Sequence, residues 1–170
     1  ISKRGDQALK DRFLKNIVSF DDVGSYCLTE PGSGSDAAAL KTKAAITNEG
    51  YSLNGSKSFI SGGGFSDLYV VLCRTGDQTP NGISMVLVEN GQTGLSFGKK
   101  EQKMGWKAQP TAIVQFDNCS IPAANLVGEE GAGFKYAMEG LDGGRLNIAA
   151  ASLGGAQKAY EIAKSYSKER

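Results

Sequence analysis

The chain has 170 residues, of which 40% are hydrophobic, so it can bury a sizeable core of its own. Its 19 basic and 18 acidic residues give a net charge of +1 without any block of one sign, which argues against nucleic acid or an anionic membrane as a partner. It contains no histidine, which excludes Ser-His-Asp and Cys-His catalytic pairs and removes the commonest metal ligand. No metal site is expected.

The three cysteines, Cys27, Cys73 and Cys119, are odd in number and lie far apart in sequence. This arrangement is typical of reduced thiols rather than of a disulfide framework or a zinc site. No run of the sequence approaches the roughly 20 apolar residues that a membrane-spanning helix needs. We therefore expect no membrane span.

The first periodic segment is Gln7–Val18, where Leu9, Phe13, Leu14 and Ile17 recur at helical spacing between charged residues. This spacing predicts an amphipathic helix of about three turns. The apolar face of such a helix requires a partner surface.

From about Tyr26 to Asn125 the pattern changes to short apolar or alternating runs that Gly, Asn, Asp and Pro separate. Six strands are predicted, with turns at Asn48–Gly50 and Pro80–Gly82: Thr42–Thr47, Tyr51–Ile60, Leu68–Arg74, Ile83–Glu89, Leu95–Lys99 and Ala112–Phe116. Strands without intervening helices favour a small antiparallel β-barrel or sandwich over a parallel sheet. As an alternative, Asn54-Gly55 forms a tight hairpin turn and divides Tyr51–Ile60 into two strands.

A second helix is predicted from about Gly133 to the end of the chain. It carries one stripe of residues spaced three or four apart: Ile148, Ser152, Gly155, Ala159, Ile162 and Tyr166. The small residues in the stripe indicate close packing against another helix. The predicted fold is therefore mainly β, with a small antiparallel barrel or sandwich between an N-terminal and a C-terminal helix.

The most unusual segment is Tyr26–Ala37, YCLTEPGSGSDA, in which glycines and hydroxyl side chains follow a short apolar run. Such a loop offers backbone N–H groups and hydroxyls to a phosphate or a polar ring system. Gly32, Gly34 and Ala37 satisfy a loose dinucleotide-binding spacing, but Pro31 and the β-rich sequence that follows argue against a Rossmann site. A Pro-Gly turn with local Ser and Asp caps explains the same residues without any ligand.

Two further clusters carry aromatic or charged groups. The segment Ser58–Gly64, SFISGGG, places an aromatic ring and a hydroxyl at a strand end before three glycines, where a ligand can approach the backbone. For Phe59 alone, a lone aromatic residue in a strand, an ordinary core position is the default expectation. In Leu141–Arg145, LDGGR, Asp142 and Arg145 have the spacing of a surface ion pair on one helix face. The residues alone predict a β domain with a polar-ligand loop.

The segment YCLTEPGSGSD resembles the signature of the acyl-CoA dehydrogenases. The resemblance continues, in the same order, through YSLNGSKSFISGGGFSDLYVVLCRT, GISMVLVENGQTGLSFGKKEQKMGW and FDNCSIPAANLVGEEGAGFKYAMEGLDGGR, and so covers nearly the whole chain from Tyr26 onward. Within the family, NGSKSFISGGGFSD, FGKKEQKMGW and GLDGGRLNIA are most similar to the branch that acts on isobutyryl-CoA.

The resemblance implies the end of an N-terminal helical domain at 1–24, a flavin-binding β middle domain at 25–128, and the start of a C-terminal helical bundle at 129–170. It implies an FAD-dependent enzyme that α,β-dehydrogenates a short, branched, isobutyryl-like acyl-CoA and passes electrons to electron-transfer flavoprotein. A full-length homotetramer is expected, in the mitochondrial matrix of a eukaryote or the cytoplasm of a bacterium. The alternatives are an acyl-CoA oxidase of the same fold and a non-catalytic β-sandwich binding module.

The same resemblance assigns the cofactor to the Tyr26–Ser35 loop and the Phe59–Ser61 strand end. Phe59 stands where many members have a tryptophan that covers the flavin ring, and Ser61 where they often have a threonine that bonds flavin N5. Gly34 and Ser35 are expected at the pyrophosphate. The complete set of implied cofactor-binding residues is Tyr26, Cys27, Leu28, Thr29, Gly34, Ser35, Phe59, Ile60 and Ser61.

Substrate contacts are implied for two places, the loop and the last helix, of which the helix segment helps to hold the CoA thioester. The implied residues are Ser35, Asp142, Gly143, Gly144 and Arg145. In most members the catalytic base is a glutamate that would lie beyond Arg170, whereas in the isovaleryl and long-chain types it occupies the position of Gly144. Glycine cannot abstract a proton. The resemblance therefore implies no catalytic base among these 170 residues and no activity for them alone.

Overall fold

The computed structural model describes residues 1–170 and divides into two units, Ile1–Tyr136 and Ala137–Arg170. All of the strands belong to the first unit, and the second unit is helical. The sites considered below are built mainly by the first unit.

The first unit begins with a helical segment in three parts: α1 (Gln7–Leu9), a π-helical turn (Lys10–Leu14) and α2 (Lys15–Ser19). The Asp6 carboxylate caps the segment by accepting a hydrogen bond from the Leu9 N–H at 2.8 Å. Leu9 and Phe13, one turn apart, are buried, while Val18 is exposed. The predicted amphipathic helix is present, with a π-helical turn at its centre.

Seven strands follow: β1 (Gly24–Cys27), β2 (Lys43–Thr47), β3 (Gly50–Ser61), β4 (Leu68–Arg74), β5 (Ile83–Glu89), β6 (Leu95–Phe97) and β7 (Thr111–Pro122). Each of the six predicted strands overlaps an observed one, and β1 is an additional strand. Because β3 runs unbroken through Asn54 and Gly55, the alternative of a hairpin turn there is wrong. The predicted turn at Pro80–Gly82 is a single 3-10 turn.

The strands form one curled sheet in the order β1-β4-β2-β3-β7-β6, and β5 pairs with β4 outside this path. The mainly β class is confirmed. Two pairs, β1–β4 and β2–β4, are parallel, whereas the sequence pattern predicted antiparallel pairing only. A tight hairpin cannot join parallel neighbours, and in this chain each parallel pair is connected through intervening strands or long loops.

The core is formed by the inward side chains of the curled sheet and is densest around β4 and β5, which are buried along almost their whole length. Strands that are covered on both faces read as continuous apolar runs, as both of these do. Cys27, Cys73 and Cys119 are buried free thiols, so the expectation of reduced cysteines is confirmed. Burial raises the pKa of Cys27 and Cys73 to about 12, which makes both thiols poor nucleophiles at neutral pH.

Two β-bulges in the β3–β7 pair decide which side chains face the core. In β7 the bulge lies at Asp117–Asn118, and in β3 it lies at Ser58–Phe59, where Phe59 has a φ of 57°. Simple alternation from the inward-facing Lys57 would place Phe59 inside. The extra residue places Ile60 inside instead and leaves Phe59 68% exposed, so the default expectation of a core position for Phe59 is wrong.

The second unit is most of α3, which spans Gly133–Glu169 as the sequence predicted. The residues of its predicted stripe are exposed, including Ile148, Ile162 and Tyr166, each more than half exposed. Packing of this stripe against another helix therefore stays a prediction.

We expect Gly94→Ala to lower the free energy of unfolding by about 1–3 kcal/mol. Gly94 has a φ of 86°, and a Cβ there would collide with the Asp117 carbonyl oxygen at the β7 bulge. Urea unfolding measures the loss. Gly105→Ala is the matched control, since a Cβ at Gly105 meets nothing within 4 Å. Equal losses in the two variants would contradict this account of the bulge.

Candidate functional site

The end of β1 carries the first predicted cluster. The alternation of the strand directs Cys27 into the core and Tyr26 outward, where its side chain is 38% exposed. Leu28, the residue after the strand, is buried, and Thr29 is half-buried. The side chains of Tyr26 and Thr29 are therefore the ones that can meet a ligand.

Two hydrogen bonds join this segment to the end of β3, which carries the second predicted cluster. The Lys57 ammonium donates to the Leu28 carbonyl oxygen at 3.1 Å, and the Ser58 N–H donates to the Thr29 carbonyl oxygen at 2.8 Å. Phe59 follows directly, with its ring exposed. The structure thus brings together the Tyr26–Thr29 and Phe59–Ser61 segments, which the sequence separates by about thirty positions.

A cluster of serines fixes the last residue of β3. The Ser25 hydroxyl lies 2.6 Å from the Ser61 carbonyl oxygen and 2.8 Å from the Ser66 hydroxyl. Gly62 has a φ of 82°, and any side chain there would collide with the two serine hydroxyls. The Ser61 side chain itself is exposed, so its hydroxyl faces away from this cluster.

Glu30 and Lys57 form a buried ion pair next to these contacts, with Lys57 Nζ 2.8 Å from Glu30 Oε1. The Lys57 side chain is 0% exposed and that of Glu30 is 6% exposed. The Glu30 carboxylate also accepts hydrogen bonds from the Lys41 N–H at 2.6 Å and the Thr42 N–H at 2.9 Å. Both charges therefore have several polar partners in the interior.

The pKa values of the two groups follow from burial and from each other. Burial favours the neutral carboxyl and would raise the pKa of Glu30, but the Lys57 charge and hydrogen bonds from Lys57, Lys41 and Thr42 outweigh it and lower that pKa. Burial also lowers the pKa of Lys57, and the Glu30 charge partly offsets this effect.

The loop between Glu30 and Asp36 is held by its own hydrogen bonds. The main chains of Glu30 and Ser33 exchange two hydrogen bonds of 2.9 and 3.1 Å, and the Ser33 hydroxyl donates to the Asp36 carbonyl oxygen at 2.7 Å. The Pro-Gly turn with a local serine cap is thus present. It leaves Gly34 and Ser35 exposed at the tip, so the turn and a ligand loop are compatible in one segment.

The hydroxyl groups and aromatic rings near the ends of β1 and β3 suit a flat polar ring system that bears a phosphate. The hydroxyls of Thr29, Ser35 and Ser61 have no hydrogen-bond partner within the chain. The Tyr26 and Phe59 rings are partly exposed beside them. Exposed rings offer stacking surface and the free hydroxyls offer hydrogen bonds, so the residues present fit a flavin cofactor.

The predicted substrate residues of α3 belong to the second unit. Arg145 Nη1 lies 2.7 Å from Asp142 Oδ1, and both side chains are more than two-thirds exposed. Gly143 and Gly144 have open space where a Cβ would stand. In this structure the Asp142–Arg145 pair is a surface ion pair, and its contact with a substrate is an expectation only.

Sequence reasoning missed several residues around the site. Glu30 and Lys57 were not identified, because a lysine in a strand is usually exposed. A cavity of 380 Å³ also opens beside Ser61, with Phe65 and Trp106 among its lining residues, 60% and 70% exposed respectively. Two aromatics on separate loops give no periodic signal, although exposed aromatic rings are typical of binding surfaces.

No group of three or more His, Cys, Asp or Glu side chains is placed to hold a metal ion. None of the helices combines the length and apolarity required to cross a membrane.

The Glu30 carboxyl should make stability depend on pH on the acid side. Its folded pKa lies below the ordinary 4.5, so its contribution is fully present above pH 4.5 and is lost as the pH falls through the folded pKa. The unfolding temperature, measured from neutral pH to below 4.5, should fall more steeply for the wild type than for Glu30→Gln, which lacks the titrating carboxyl. Parallel acid slopes would show that Glu30 has no such linkage.

Comparison with family models agrees with this geometry. A model described as acyl-CoA dehydrogenase, middle domain, matches residues 25–119, and one described as acyl-CoA dehydrogenase, C-terminal domain, matches residues 131–170. The chain is 53% identical to mitochondrial isobutyryl-CoA dehydrogenase of Bos taurus, covering 100% of this chain and 41% of that protein. It is also 53% identical to the mitochondrial isobutyryl-CoA dehydrogenase of Dictyostelium discoideum, covering 98% and 40%. The chain spans about two fifths of the length of these relatives.

Comparison with solved structures also finds similarity to acyl-CoA dehydrogenases. The chain superposes with a TM-score of 0.95 and 46% identity on a structure reported as electron transferring flavoprotein of Acidaminococcus fermentans, covering 100% of this chain and 45% of that one. For butyryl-CoA dehydrogenase from Megasphaera elsdenii the TM-score is 0.86 at 43% identity, covering 88% and 40%. For an FAD complex of PigA it is 0.76 at 31% identity, covering 78% and 35%. Two family models in the expected order and these close structural matches establish that the chain belongs to the acyl-CoA dehydrogenase family, whose members are FAD-dependent.

Proposed function

We propose that this chain is the flavin-binding portion of an acyl-CoA dehydrogenase that α,β-dehydrogenates isobutyryl-CoA or a similar short, branched acyl-CoA. The observation that carries the proposal is the junction of the β1 loop, residues 28–42 between β1 and β2, with the end of β3, where free hydroxyls and exposed aromatic rings lie together. Membership of an FAD-dependent family supports the cofactor. The 53% identity to two isobutyryl-CoA dehydrogenases supports the substrate class.

The proposed cofactor contacts come from both segments of the junction. The main chain of Leu28–Thr29 and the Thr29 hydroxyl bind the polar edge of the flavin, and the exposed Phe59 ring packs on its face. The Ser61 hydroxyl would donate a hydrogen bond to the flavin. Gly34 and Ser35, at the exposed loop tip, bind the pyrophosphate, where an N–H and a hydroxyl suit phosphate oxygens.

In the proposed reaction a carboxylate removes the α-proton of the acyl thioester. FAD, when bound, supplies the acceptor for the β-hydrogen. Hydrogen bonds to the thioester oxygen stabilise the charge that develops there as the α-proton leaves. Ser35 and the Asp142–Arg145 segment of α3 hold and orient the acyl-CoA, and Gly144 leaves the role of base to a residue outside these 170. Electron-transfer flavoprotein is the proposed electron acceptor of a full-length homotetramer.

The function is tested on the full-length protein purified with its flavin. Anaerobic addition of isobutyryl-CoA should bleach the absorbance of the oxidised flavin. In a separate aerobic assay with isobutyryl-CoA and no added electron acceptor, oxygen consumption should stay low. A colourless protein, or a flavin that isobutyryl-CoA leaves unchanged, would contradict the proposal. Rapid oxygen consumption would instead identify an oxidase of the same fold.

Ser35→Asp tests the pyrophosphate contact separately. A carboxylate at the loop tip repels phosphate oxygens, so we expect FAD affinity to fall by about tenfold or more, as measured by titration of the apoprotein. Ser96→Asp, on the exposed face of β6, adds the same charge away from the loop and should leave the affinity unchanged. Equal affinities for the two variants would remove Ser35 from the site.

A further inference from the structure

Stability alone does not explain why Lys57 and Glu30 form a buried ion pair. Removing two charges from water is costly, and well-packed apolar residues of the same volume are often as stabilising as such a pair. Lys57 and Glu30 are nevertheless almost completely buried. The main-chain groups that these two side chains bind offer an explanation.

Between them, the two side chains hold three pieces of main chain. Lys57 donates to the Leu28 carbonyl oxygen, while Glu30 accepts from the N–H groups of Lys41 and Thr42. These bonds connect the start of the β1 loop, the end of that loop and strand β3. An apolar pair of equal volume would fill the same space without making any of these bonds.

The fixed pieces are the immediate neighbours of the groups proposed to meet the flavin. Leu28 and Glu30 flank Thr29, whose hydroxyl has no partner in the chain. On β3, Lys57 precedes the bulge that turns the Phe59 ring outward. The ion pair therefore lies between the hydrogen-bonding and the stacking parts of the candidate site.

We propose that Glu30 and Lys57 are positioning residues for the cofactor, whose buried ion pair holds the β1 loop and the bulged end of β3 in the one arrangement that binds the flavin. The proposal rests on the proposed function. Neither side chain needs to touch the cofactor, since each acts through the main chain of its neighbours. Held in place before binding, the two segments lose less conformational freedom when the flavin enters, which strengthens binding.

The test uses three variants of the full-length protein: Lys57→Met, Glu30→Gln, and the double variant Glu30→Leu/Lys57→Leu. Each is titrated with FAD as apoprotein, its unfolding temperature is measured, and the visible circular dichroism of its bound flavin is recorded. We expect each folded variant to bind FAD at least about tenfold more weakly than the wild type, with an altered visible signal. The double variant leaves no unpaired charge, so it should retain most of the unfolding temperature and still bind weakly.

Asn125→Ala is the matched control, since Asn125 is also buried and its amide donates to the Leu87 carbonyl oxygen at 2.9 Å, away from the site. It should lower the unfolding temperature and leave flavin affinity unchanged. Wild-type affinity and an unaltered visible signal in a folded double variant would overturn the proposal, as would failure of all three variants to fold, which would make the pair a folding requirement. A wild-type protein that binds no flavin would instead overturn the proposed function.

Discussion

A lysine ammonium buried in a protein interior must be paired with a carboxylate and hydrogen-bonded, and Lys57 finds Glu30 at 2.8 Å and the Leu28 carbonyl oxygen at 3.1 Å. Those two contacts require the chain after β1 to run alongside the end of β3. The Ser58–Thr29 hydrogen bond continues the same alignment by one residue. The arrangement of the candidate flavin site thus depends on the pairing of one buried charge.

The two bulges of the β3–β7 pair make this arrangement compatible with a packed sheet. The β7 bulge lets Phe116 and Cys119, three residues apart, both face inward, while β3 alternates undisturbed from Leu53 to the inward Lys57. The β3 bulge then reverses the direction of the next side chain and exposes Phe59. The charged Lys57 thus faces the interior and the aromatic Phe59 faces outward, which is the reverse of the usual preference of these residue types. Such reversals are typical of functional sites.

Much of the fold was predictable, because β4 and β5 are continuous apolar runs and α3 carries a stripe of residues at helical spacing. The parallel pairing of β1 with β4 was not, since it depends on contacts between segments distant in sequence. At the site, both ligand segments were singled out by their glycines and hydroxyls, whereas the flavin and the individual contacts followed from the family resemblance. Alternation from Tyr51 through Leu53 does predict an inward Lys57, but nothing in the sequence indicates that Glu30 is its partner. The backbone of Phe59 had no local signal either, since an aromatic residue rarely adopts a positive φ.

The most direct test of the central claim is a crystal structure of the full-length protein with FAD bound. The account predicts that the flavin ring lies against Phe59 and within hydrogen-bond distance of Thr29 and Ser61, with the Glu30–Lys57 ion pair intact behind it. A flavin bound elsewhere, or a bound state in which Lys57 has left Glu30, would contradict the claim that this pair holds the site.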